Sequence, residues 1–192
     1  MKFSIPLIGI GLILLAVAIL FDVNYVNYKK PLSYADWQKI NFSDFRALKR
    51  PGLTLDGVSE FAYIKTDRKI QPLSNGDIVI TTYFYPSRSY VFAQDLHNTD
   101  LLRHELYHFH IAEYCSRLFR KEVLENRNGI TGTMISDLND KYRRMEQQMQ
   151  DEYDEDSYHS YVLQEQKKWE VKVDSLLHSL KPFSEPHVHI KK

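Results

Sequence analysis

His104, Glu105 and His108 stand in the run His-Glu-Leu-Tyr-His, two imidazoles one helical turn apart with a carboxylate between them. On an α-helix, residues four apart lie on one face, so both rings can reach a single ion. Zinc takes neutral imidazole nitrogen and keeps a coordination position for water when the protein supplies three ligands. Glu105 falls about 100° around the helix from His104, on the flank of the ligand face. A general base must sit there to take a proton from that water. The pattern leaves its middle positions loose, so it carries meaning only on a helix that turns this face inward.

The flanking residues describe such a helix. Asn98, Thr99 and Asp100 offer N-cap side chains, and Leu101, His104, Ile111, Cys115, Leu118 and Phe119 then recur at helical spacing. The histidine face is therefore expected to be buried. Buried imidazoles need partners; a metal supplies them, and the plainer alternative is a pair of hydrogen-bonded core histidines. Cys115 is the single cysteine, which excludes an intrachain disulfide and a thiolate zinc site, and its place on the apolar face reads as a small hydrophobe.

A catalytic zinc takes a third protein ligand, which can come from a remote helix. Glu113 points about 180° away from His104 and cannot join the same ion; it would orient a neighbour or face water. A polar interval, Asp151 to Asp156, is expected to precede a final helix starting near Ser157, with Val162, Gln166, Trp169, Val173, Leu176 and Leu180 on its broad face. His159 would lie in the first turn of that helix, on its apolar side. It is the expected third metal ligand, with Glu165, Asp156 and Asp154 as rivals.

The elements that must position these groups come before and after the motif. Phe61 to Thr66 and Asp77 to Tyr85 are rich in β-branched and aromatic residues, with a Ser74-Asn75-Gly76 turn between them. Ser89 to Ala93, following Pro86-Ser87-Arg88, suggests a hairpin. A sheet arriving just ahead of the motif could offer an edge on which an extended peptide is held by main-chain hydrogen bonds. Before it, Trp37, Ile40, Phe42, Phe45 and Leu48 suit a short strand or turn and a helical turn, ended by Pro51-Gly52. After the motif helix, Gly129 to Gly132 breaks the chain. Met134, Leu138, Tyr142, Met145 and Met149 then make a helical core stripe. Pro182 and Pro186 mark the end, with His187 and His189, as a loose non-catalytic extension able to bind metal adventitiously.

At 192 residues and 43% hydrophobic content the chain fits one domain of ordinary size plus an appendage. Lys and Arg total 25 against 25 Asp and Glu, so bulk charge gives no case for nucleic acid or an acidic membrane surface. Ile5 to Phe21 carries no charge and would reach roughly 26 Å as a helix, near the lower limit for spanning a bilayer. Ala16-Val17-Ala18 has the look of a signal-peptidase site, but the apolar run continues past it, which favours an uncleaved anchor. Asp22 to Leu32 then reads as a tether.

Four stretches together resemble a bacterial HExxH family, domain of unknown function 922, of predicted secreted zinc-dependent proteases. They are Ile40 to Phe45, Ser89 to Val91, Leu101 to Glu113 with Arg117, Arg120 and Lys121, and Tyr153 to His159 with Gln166 and Trp169. The likeness spans about residues 32 to 180. It implies His104, His108 and His159 as metal ligands, Glu105 as the base, and Tyr153 and Asp154 close to the site. Tyr153 is then a candidate for stabilising the oxyanion. The chain departs from the pattern at Tyr107, where the family has a small residue and where a ring would narrow the cleft. It departs also at Ser157, where the family has Thr, and at Ser160, where glycine is common.

The sequence thus leads to an α+β, zincin-like fold: a small mixed or antiparallel sheet packed on the HExxH helix, with further C-terminal helices and an N-terminal transmembrane or signal helix. Residues 1–30 would be anchor and tether, 31–182 the metallohydrolase domain and 183–192 a tail. The expected activity is zinc-dependent hydrolysis of peptide bonds, with one Zn2+ per chain and a peptide or protein substrate. The setting would be the bacterial inner membrane, facing the periplasm or outside, or secretion if the leader is cleaved. Alternatives are an anchored scaffold with a structural metal and a zinc amidase acting on the cell wall.

Overall fold

The computed structural model describes residues 9–17, 28–47, 61–92 and 95–190. The fold is mixed α+β, with small antiparallel sheets beside helices. Residues 9–17 form a helix, α1, and among the described residues no helix is long and apolar enough to cross a membrane. The rest of the expected anchor, most of the tether and the Pro51-Gly52 break lie outside the described residues.

Four strands make the main sheet: β1 (Leu32–Ser33), β3 (Thr66–Pro72), β4 (Ile78–Phe84) and β6 (His187–Val188). β4 is central, pairing with β1 and β6 toward its two ends and with β3 along its length, in a register that puts Arg68 opposite Thr82 and Ile70 opposite Ile80. Gly76, at φ 90°, turns the chain between β3 and β4, a left-handed conformation that favours glycine. β2 (Ala62–Tyr63) pairs with β5 (Tyr90–Val91) in a separate ribbon. The hairpin is therefore β3–β4, and the run from Ser89 returns to residues 61–63 instead of forming a hairpin with β4.

Helix α2 (Thr99–Glu125, 27 residues) runs through the middle, starting where the Asn98 side chain accepts a hydrogen bond from the Leu101 N–H at 3.0 Å. The sheet packs on it, as do α3 (Gly132–Ser157) and α4 (Leu163–Ser179), and Arg68 of β3 reaches Glu146 of α3 at 2.9 Å. Burial follows from that packing. Phe84 and Phe109 join Ile40, Phe42 and Phe45 at one end, Phe119, Val123 and Ile80 meet Val188 at the other, and Ile111 and Cys115 face Tyr153, Trp169 and Val173 across the helices. Cys115 is fully buried, and burial pushes its thiol up to about 12, as befits a packing residue.

Three expectations are corrected. The acidic run 151–156 is not an interval: α3 continues to Ser157, helped by Gln147–Asp151 and Gln148–Glu152 side-chain hydrogen bonds at i,i+4 spacing. The final helix begins at Leu163, so His159 stands in the turn between α3 and α4. The C-terminus is not loose, because β6 pairs with β4 and Val188 is buried in the core.

Glu113 does not face water either. It is 2% exposed, accepts hydrogen bonds from Thr82 Oγ1 at 2.7 Å and Arg117 Nε at 3.0 Å, and pairs with the buried Arg120 guanidinium. Arg120 also donates to the carbonyls of Ile80 at 2.8 Å and Phe183 at 2.7 Å, so one ion cluster ties α2 to β4 and to the C-terminal segment.

Candidate metal centre

The first turns of α2 deliver His104 and His108 to a common point, and the last turn of α3 delivers Asp154 to meet them. The two Nε2 atoms are 3.1 Å apart, and Asp154 Oδ1 lies 3.1 Å from that of His104 and 3.0 Å from that of His108. His104 is 2% exposed and Glu105 4%. Three Lewis-base atoms facing one another at this spacing are what a cation between them requires; a tetrahedral zinc with bonds of about 2.0–2.1 Å keeps its ligand atoms roughly 3.3–3.4 Å apart. The donor set fits zinc.

Electrostatics follow from the packing. Burial holds His104 down, to about 4, against the opposing pull of Asp154. Burial would lower His108 too, but the Asp154 carboxylate outweighs it and raises His108 to about 9. Asp154 shows the reverse balance: burial would raise it, and the two histidines hold it well below the usual carboxylate range.

Gln150, one turn before Asp154 on α3, sets the His108 tautomer. Its Oε1 accepts from His108 Nδ1, while its Nε2 donates to the His108 carbonyl at 3.0 Å. With Nδ1 held as a donor to Gln150, it is the Nε2 proton that His108 would give up to a metal, and metal-bound imidazoles are oriented in this way. Sequence reasoning missed Gln150. The signal was its i,i+4 relation to Asp154, which puts both on the face turned to α2.

His159 lies beside this group rather than in it. Its Nδ1 is 3.5 Å from Asp154 Oδ1, and its side chain is about one-third exposed. The turn that holds it is unusual: Tyr158, His159 and Ser160 have φ of 48°, 50° and 75°. Left-handed conformation costs a non-glycine residue about 1–2 kcal/mol, so this turn is held against its local preference. The His159 N–H donates to the Asp154 carbonyl at 3.1 Å, so the residue offering the carboxylate also anchors the backbone of its neighbour.

No family model, curated protein or solved structure matches this chain.

A cleft of about 390 Å³ opens over the cluster, lined by residues 61–67, by His104, Glu105 and His108 of α2, by a face of α3 that includes Gln150 and Asp154, and by His159. Among the described strands β3 pairs only with β4, and so stands at one side of the sheet. Tyr153 does not line this cleft. It is fully buried, its ring stacked on His104 at 4.6 Å and edge-on to His108 at 5.1 Å, and its hydroxyl has no hydrogen-bond partner among the described residues. It supports the imidazoles from behind. Nor does Tyr107 narrow the cleft: its hydroxyl donates to Asp174 on α4 at 3.0 Å. Glu165 and Asp156 are not in the donor cluster; Asp156 accepts instead from the Trp169 indole at 2.7 Å.

His110, on another face of α2, shows what a buried histidine without such a cluster does here. Its Nδ1 lies 2.9 Å from the Tyr34 hydroxyl, its ring meets Trp37 edge-on, and burial, with Arg117 adding to it, lowers its pKa to about 4. A folded value below the unfolded one near 6.5 means that the unfolded chain binds more protons between them. The stability from His110 is whole above about pH 6.5 and is lost as pH falls toward 4. From this residue the metal-free chain should lose about 2 kcal/mol by pH 5. Urea midpoints at pH 7 and pH 5 measure it, and the loss should shrink in His110→Gln; an unchanged slope in that variant would remove His110 from the account.

Proposed function

We propose that this chain is a zincin-like, zinc-dependent hydrolase of peptide or other amide bonds. The observation that carries the reading is the mutual approach, at 3.0–3.1 Å, of two HExxH imidazoles and one remote carboxylate beneath a cleft walled by an extended segment. His104, His108 and Asp154 would hold the ion. Zinc there would act as a Lewis acid on the scissile carbonyl and lower the pKa of an attacking water to about 7.

The other roles belong to the chain's own residues. Glu105, beside both ligands and lining the cleft, accepts the proton of the attacking water and returns it to the leaving amine. Residues 61–67 line one wall of the cleft, and β3 runs on from there, which would let an extended peptide lie alongside this segment. Gln150 fixes His108, Tyr153 backs His104, and His159 stands beside Asp154 at the rim of the cleft. The apolar run from Ile5 to Phe21 supports anchoring at, or export across, the bacterial inner membrane.

Zinc titration against a chromophoric chelator tests the site. One equivalent should vanish in His104→Ala and in Asp154→Ala and persist in Glu105→Gln. Gln150→Ala should weaken that equivalent by about 10–100-fold, as loss of an orienting partner does. His159→Ala should weaken it less than Asp154→Ala; the opposite ranking would give the third position to His159. Zinc binding indifferent to His104→Ala in a folded chain would sink the hydrolase and leave an anchored scaffold.

A further inference from the structure

At the far end of the sheet from α3's last turn, the C-terminal strand gathers a second set of donors. β6 brings His187 and His189 to Asp77, which closes the β3–β4 turn. Asp77 Oδ2 is 3.2 Å from His187 Nε2 and 3.0 Å from His189 Nδ1, and the two rings lie 4.2 Å apart between centroids. The carboxylate is 4% exposed and doubly oriented: Oδ1 accepts from the Ile190 N–H at 2.9 Å, and Oδ2 from Asn75 Nδ2 at 2.9 Å. The His189 imidazole is not there for core packing, since its side chain is 70% exposed, and that of His187 is 35% exposed. A rigid carboxylate at the bottom with two accessible imidazoles above it is a preorganised N,N,O donor set. That set suits a borderline divalent ion such as Zn2+ and is poor for calcium or magnesium, which take oxygen.

We propose that Asp77, His187 and His189 form a second zinc site that clips the C-terminal strand to the β3–β4 turn. The clip joins residues 110 apart in sequence, and a link closing so long a loop removes much freedom from the opened chain. It complements what already holds this segment. The Arg120 bond to the Phe183 carbonyl and the Ile80 N–H bond to the Pro186 carbonyl fix the entry to β6, whereas the exit at His189 and Ile190 rests on Asp77. The ion therefore controls opening of the last residues and, through β4, the sheet on which α2 packs. This proposal does not depend on the cleft being a hydrolase.

The experiment compares the full chain with His189→Ala, whose exposed side chain can be truncated without disturbing packing. Zinc equivalents are titrated, and amide exchange is followed at Val188 to Ile190 with and without zinc. Wild type should bind one equivalent more than His189→Ala, whether or not the cleft also binds. At zinc 100 times the dissociation constant, exchange at Ile190 should slow by about 100-fold in wild type and stay unchanged in His189→Ala. Equal stoichiometry in the two chains would overturn the site. Equal exchange with and without zinc in wild type would overturn the clip.

Discussion

Glu105→Gln is expected to reduce amide-bond hydrolysis by about 10²–10⁴-fold while leaving zinc binding and folding intact. The amide keeps the shape and hydrogen-bonding reach of the carboxylate but cannot take up a proton at neutral pH. Position supports the pairing of large kinetic loss with small structural change. Glu105 lies between His104 and His108 in sequence, is almost fully buried at the cleft, and is not in the donor cluster. Because the proton transfer occurs on the way to the transition state, kcat and kcat/KM should fall together with KM little altered. Digestion of a random peptide library by both chains, followed by mass spectrometry, measures the ratio, and the zinc titration is run alongside it. A Glu105→Gln chain that cleaves at the wild-type rate would remove Glu105 as base. A zinc-loaded wild type that cleaves no peptide would direct the same pair of chains to purified peptidoglycan, where the cell-wall amidase reading predicts the same ratio.

The residues of that prediction were legible from the sequence because they obey a period. His104, Glu105 and His108 are local, and the helix that carries them announces itself through its cap and its apolar spacing. The third donor proposed for the site was legible only as one rival to His159 among several. Asp154 sits 50 residues away from His104, inside an acidic run that reads as solvated chain, and only the continuation of α3 to Ser157 turns it inward while Asp151, Glu152 and Glu155 stay exposed or nearly so. His159 stood out because imidazole has metal chemistry, whereas Gln150 carries none and became visible only through its contacts with His108. β3 escaped for a different reason. Its inward positions include Arg68, a charge where a strand pattern leads one to expect an apolar side chain, and that charge is matched by Glu146 of α3 at 2.9 Å and Ser116 of α2 at 2.9 Å. Tertiary partners decide such positions, and a single chain read in order does not display them.

The same blindness hid a residue whose loss should strongly damage the fold. Glu113→Ala is expected to destabilise the chain by about 3–5 kcal/mol, a large share of the 5–15 kcal/mol typical of a domain. Glu113 neutralises Arg120, which is 1% exposed, and Arg117. Removing the carboxylate leaves the buried Arg120 guanidinium without its counter-charge and takes from Thr82 one of its two hydrogen-bond partners, Ser116 being the other. Arg117→Ala should cost much less, because its side chain is nearer solvent and Glu113 keeps Arg120. Arg120→Met separates charge from connectivity: besides exposing Glu113 to the same imbalance, it strands the carbonyls of Ile80 and Phe183 and so loosens β4 and the C-terminal segment together. Adding Glu113→Leu to Arg120→Met should recover part of the loss, since deleting both charges is less costly than burying one alone, but the stranded carbonyls should keep the double variant below wild type. Urea unfolding measures all four as shifts in midpoint at constant slope. A Glu113→Ala loss within about 1 kcal/mol would mean that water reaches Arg120 and that the cluster is not the tie between α2 and the sheet.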